Sequence, residues 1–131
     1  MVYVGLGVVA ILASVFAERS ASDGAAERYG LKTAACTHLP DMDMQQCLSS
    51  LSAAAHAEQI GAYRSALAAA SAQGRGAELR KTQASWRKFV DLQCAFEQAQ
   101  FRGGTGYWSA LYLCEVRSTA ARIEELVDSV R

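Results

Sequence analysis

Proline occurs once in this 131-residue chain and histidine twice, and the formal charges cancel, with thirteen lysines and arginines against thirteen aspartates and glutamates. The charge balance argues against a nucleic-acid binder that depends on a broad phosphate-neutralising surface. No alternation of polar and apolar residues runs long enough to predict a strand. No C-x-x-C pair occurs and the histidines are isolated, so a zinc site has only Cys36, His38 and Cys47 close together in sequence. A phosphate loop is missing as well. Gly103-Gly104-Thr105-Gly106 follows no strand, and no Gly-Lys-Ser/Thr comes after it. Neither His38 nor His56 has an evident nucleophile or carboxylate orienter, and Asp41/Asp43 and Glu124/Glu125 read as helix-start and solvent-face charge. No enzyme, metal or cofactor is expected.

The residues that are present favour helices. The chain is 51% hydrophobic, rich in alanine and only 8% aromatic, a composition suited to close-packed helices in one small domain. Residues 2–17, VYVGLGVVAILASVFA, carry no charge, and polar, small and charged residues follow at once. Such a run predicts a signal peptide, cleaved after Ala17, or an uncleaved membrane anchor, although no basic residue precedes it. Residues 18–35 read as a mobile linker, and residues 36–131 as the folded domain. Four cysteines in a short chain with an export-like start predict two disulfides. Of the three possible connectivities, Cys36–Cys47 and Cys94–Cys114 each close a local loop.

The element pattern is a small all-α antiparallel bundle of three or four helices. Cys36 to Pro40 reads as an extended approach, with Asp41 or Asp43 capping a helix that reaches about Ala72 and is open to a kink near Gly61. Gln73-Gly74-Arg75-Gly76 breaks the chain, a central helix spans about Ala77 to Ala99, and a glycine turn leads to a last helix from Tyr107 or Trp108 to Val130. On the central helix Trp86, Phe89 and Val90 share one face and are expected in the core. On the last, Trp108, Tyr112, Val116, Thr119, Ile123, Leu126 and Val130 form the stripe. Cys114 falls about 160° from the centre of that stripe at 100° per residue, which places a Cys94–Cys114 clamp at the rim.

The constellation Gln83-x-x-Trp86-x-x-Phe89-x-Asp91-x-x-Cys94-x-Phe96-Glu97, then Gly103-Gly104-Thr105, Cys114 and Thr119-x-x-Arg122-x-x-x-Leu126, resembles the lysozyme inhibitor LprI-like family of small exported bacterial proteins. Cys36, Cys47 and Tyr63 fit the same pattern, so the resemblance covers about residues 36–126. The chain departs from the family at Val90, where an arginine is expected, and at Gln59 and Ile60, where a Leu-Asn pair would precede the tyrosine. The resemblance implies a disulfide-stapled, periplasmic or secreted envelope protein that inhibits a lysozyme or another cell-wall hydrolase. It reaches a membrane only through residues 2–17, if these stay attached as an inner-membrane anchor. A non-inhibitory structural or adaptor domain is the alternative.

Within that frame the stretch Phe101 to Trp108 is the candidate partner-binding site. Three glycines, Gly103, Gly104 and Gly106, with Thr105 among them, let the backbone approach a partner closely. Arg102 supplies a bidentate cation, and Tyr107 and Trp108 are residue types that anchor interfaces. The plainer reading of the same residues is a tight turn with Trp108 buried. Asp91 is expected either as a solvated ion-pair partner of Arg87 or Lys88, or as the partner of Arg122 across the helix pair. Glu97 is expected to pair with Arg122 or to cap the glycine loop.

Overall fold

The computed structural model describes residues 24–131, all of them in helices, turns and short connections. Four helices follow one another: α1 (Gly24–Cys36), α2 (Asp41–Ala72), α3 (Gly76–Ala99) and α4 (Tyr107–Asp128). The expected signal peptide or anchor, residues 1–17, lies outside the described residues. The all-α bundle with two disulfides is as expected, and so is the pairing, Cys36–Cys47 and Cys94–Cys114. All four sulfurs are therefore spent on disulfides. That removes the thiolates that a zinc site at Cys36, His38 and Cys47 would have needed.

One expected boundary is wrong. The linker expected over residues 18–35 is helix from Gly24 onward, where α1 begins and buries Ala25, Tyr29 and Cys36. Its pattern is weak because Leu31, its one large aliphatic side chain, points outward and is 69% exposed. Tertiary contacts fix the helix instead. The Ala26 amide donates to Glu124 Oε1 at 2.8 Å, and the Tyr29 hydroxyl donates to Glu58 Oε2 at 2.8 Å.

Pro40 has an extended conformation (φ −57°, ψ 155°) and directs the chain into α2. Neither Asp41 nor Asp43 makes the expected capping hydrogen bond; both sit in the first turn, where their charge favours the helix N-terminus. At 32 residues α2 is the longest element, and it runs helical through Gly61.

The fold closes around α4. It packs on α1, α2 and α3, while α1 and α3 do not touch. One side of α4 carries Val116, Ala120 and Ile123, which meet Ala25 and Tyr29 of α1 and Ala55 of α2 in the larger core cluster. The opposite side carries Cys114, which joins Cys94 and Val90 of α3 in a second cluster flanked by Trp86 and Leu111. The rim position expected for the disulfide is therefore corrected: Cys94 and Cys114 are each 1% exposed. The angle of Cys114 was sound, but a helix covered on three sides buries more than one stripe. Phe89 is corrected in the other direction. It belongs to no core cluster and is 63% exposed, whereas Trp86 is half-buried.

Candidate partner-binding site

Between α3 and α4 the backbone descends through a chain of tight turns. Amides of Phe101, Arg102 and Gly104 donate to Gln98 O, Ala99 O and Phe101 O at 3.0, 3.3 and 2.9 Å, and the Tyr107 amide donates to Gly104 O at 3.4 Å. Gly103 has a φ of +82°, a left-handed conformation that residues with a Cβ adopt at a cost. At Gly106 a Cβ would stand 3.4 Å from the Phe101 ring, an ordinary contact, so the ring lies over the start of α4 without requiring glycine there. Local hydrogen bonds thus hold the loop in shape.

Arg102, Gly103, Gly104 and Thr105 are exposed, and Arg102 makes no ion pair among the described residues. Tyr107 is half-buried and meets Trp108 edge to face at 5.3 Å. Trp108 is 49% exposed and Phe101 48%, so the reading of a turn with Trp108 buried does not hold.

Below the loop the two helices are fastened twice. Cys94–Cys114 joins them covalently, and Arg117 Nη2 donates to both Glu97 oxygens, at 2.8 and 2.7 Å. Glu97 therefore pairs with Arg117, neither with Arg122 nor as a side-chain cap for the loop. Cys94, Glu97 and Cys114 lie together, but disulfide sulfurs do not ligate a metal as thiolates do.

Asp91 takes the plainer of its two expected roles, an ion pair with Arg87 at 3.1 Å on the surface of α3. Arg122 is buried elsewhere. It donates from Nε to Gln83 Oε1 at 3.0 Å and from Nη1 to Glu125 Oε2 at 2.8 Å, and it lies 5.8 Å from the Trp86 ring centroid. This Gln83–Arg122–Trp86 contact fixes the register of α3 against α4, the task expected of Asp91.

Sequence reasoning missed an apolar groove beside the loop. It has a volume of about 330 Å³ and is lined by Met44 and Leu48 of α2 together with Phe101, Gly106, Ser109 and Leu113. Nothing local in the sequence signals it, because α2 supplies one wall from more than fifty positions upstream. Ser109 is buried there, and its hydroxyl has no hydrogen-bond partner among the described residues.

The family described as "Lysozyme inhibitor LprI" matches residues 33–126. The chain belongs to the LprI family. The match takes in both disulfides, the loop and most of α4, and it begins inside α1. Among curated proteins and solved structures nothing matches the chain. No helix among the described residues is long and apolar enough to cross a membrane.

Proposed function

We propose that this LprI-family protein binds a lysozyme-type cell-wall hydrolase and inhibits it by placing the loop of residues 101–108 in the active-site cleft. One observation carries the reading: Arg102, with no ion pair among the described residues, shares an exposed loop with two half-exposed aromatics, Phe101 and Trp108, on a base fastened by Cys94–Cys114 and Glu97–Arg117. A glycoside-hydrolase cleft holds two carboxylates. A guanidinium can engage a carboxylate with two parallel hydrogen bonds, and flanking aromatics supply apolar contact beside sugar-binding grooves. A loop already fixed by its own hydrogen bonds loses little freedom on docking, which favours affinity. Inhibition needs occupancy alone, so no catalytic residue and no cofactor take part. Two disulfides suit an oxidising compartment, so the protein acts in the periplasm or outside the cell.

The test is an inhibition panel against several lysozyme types. Wild-type protein is expected to inhibit at least one at nanomolar to micromolar concentration. Arg102→Ala combined with deletion of Gly104 and Thr105 is expected to weaken that inhibition at least tenfold, with the helical circular dichroism spectrum retained. Unchanged inhibition removes the loop from the mechanism. No inhibition of any lysozyme by the wild type, with a stable partner recovered from envelope extracts, replaces the reading with that of an adaptor domain.

A further inference from the structure

The apolar residues of α3 lie on two faces, and the bundle uses one. Val90 and Cys94 point into the core, while Phe89, Leu92 and Phe96 stand 63%, 65% and 70% exposed. At about 100° per residue, with Phe89 at 0°, Leu92 falls near −60° and Phe96 near −20°. They form one strip over two helical turns. Single exposed apolar side chains are ordinary, but an aligned row of large ones marks a surface that something covers.

Acidic and basic residues both lie along this face, Glu78 near −20° in line with Phe96, but the basic ones beside the strip have no ion-pair partner among the described residues. Lys88 and Lys81 fall near −100° and −80°, along the Leu92 edge, and neither forms an ion pair among the described residues. The acidic residues of α3 are all neutralised: Glu78 pairs with Arg75, Asp91 with Arg87 and Glu97 with Arg117. Lys81, Trp86 and Phe89 also line one shallow depression on this side of the helix. The uncompensated charge of the face is positive.

We propose that this outer face of α3 docks on an anionic phospholipid membrane, lying in the plane of the headgroups with Phe89, Leu92 and Phe96 inserted. Lysine is depleted from the centres of protein interfaces. Beside an anionic lipid surface it is favoured, because its stem follows the apolar boundary while the ammonium stays among the phosphates. A second copy of the chain fits less well. Buried aromatics contribute about 150–250 Å² each, so three side chains fall short of the roughly 800 Å² per partner of a stable interface. A bilayer sets no such minimum, since each side chain inserts on its own.

Trp86 reports on the contact because it shares the depression with Phe89. The full chain carrying Trp108→Phe has Trp86 as its sole tryptophan. It is mixed with vesicles of phosphatidylglycerol and phosphatidylcholine bearing brominated acyl chains, and with vesicles of brominated phosphatidylcholine alone. Trp86 fluorescence is expected to be quenched by the anionic vesicles and little affected by the neutral ones. Phe89→Ser, Leu92→Ser and Phe96→Ser together are expected to lower the partition coefficient for that quenching at least tenfold. Lys81→Glu with Lys88→Glu is expected to abolish the preference for anionic lipid. All five positions are exposed, and circular dichroism checks that the variants keep their fold. Co-sedimentation with Trp86 unquenched overturns the proposal, because another part of the chain then makes the contact. Equal quenching of the serine variant also overturns it. So does a vesicle-free dimer, or a complex with a hydrolase, that the serine substitutions abolish while wild-type Trp86 stays unquenched by lipid.

Discussion

Glu58 receives two donors from α1, the Arg28 guanidinium at 2.5 Å and the Tyr29 hydroxyl at 2.8 Å. The hydrogen bond from Arg28 holds the Glu58 carboxyl below the usual carboxylate range, against the opposing effect of burial. Burial, then the hydrogen bond to Glu58, pushes the Tyr29 phenol up to about 12. The two shifts act at opposite ends of the pH scale. Glu58 is depressed in the fold, so its contribution to stability is whole above the unfolded carboxylate pKa, about 4.3, and is lost as pH falls through the lower folded value. Tyr29 is raised, so its contribution is whole below about pH 10 and is lost as pH rises through about 12. Urea denaturation across pH checks both. The stability gap between wild type and Glu58→Gln is expected to shrink below about pH 4. Tyr29→Phe is expected to cost about 1 kcal/mol at neutral pH, the usual worth of one hydrogen bond, and to flatten the alkaline decline. None of this triad was legible in the sequence. Its members sit about thirty positions apart, and Arg28 and Tyr29 lie in a stretch whose periodicity is too weak to suggest a helix.

Among the elements, α2, α3 and α4 were legible nearly to the residue, because Pro40, the Gly74–Gly76 break and the Gly103–Gly106 turn punctuate three long alanine-rich segments. Helical angles also placed Val90 inside and Asp91 outside. They could not say how much of a face a neighbour covers, so Phe89 was expected in the core beside Val90, and Cys114 was expected at a rim that α3 in fact covers. The loop was readable from its glycines and aromatics. The Glu97–Arg117 tie beneath it was not, since it depends on the phase between two helices. For the Cys94–Cys114 link the chain-entropy estimate gives roughly 3 kcal/mol for a loop of this size, and the bond also fills the smaller core cluster. Replacing both cysteines with serine buries two hydroxyls there, so the loss of stability is expected to be at least that large. A comparison of urea midpoints, wild type against Cys94→Ser/Cys114→Ser, measures it. If the loop is the inhibitory element, inhibition weakens in parallel even where the variant remains folded.

For the molecule as a whole, the decisive fact is that α2 and α4 each touch all the other helices while α1 and α3 never meet. A chain ending at Gly106 keeps the Cys36–Cys47 pair and the contacts of α2 with α1 and α3, but Ala55 and Tyr29 lose Val116, Ala120 and Ile123, and Val90 loses Cys114. Isolated helices are marginal in water. The truncated chain is therefore expected to show no cooperative thermal transition and to leave Cys94 open to thiol reagents, whereas the full chain melts in a single step. Biosynthesis gives the same arrangement a further meaning. A ribosome works from the N-terminus, so α4 emerges after the three helices it packs against. Until α4 follows, α1 and α3 have only α2 to pack on and both core clusters lack the residues that complete them, so the larger part of the described chain is made before its core can close.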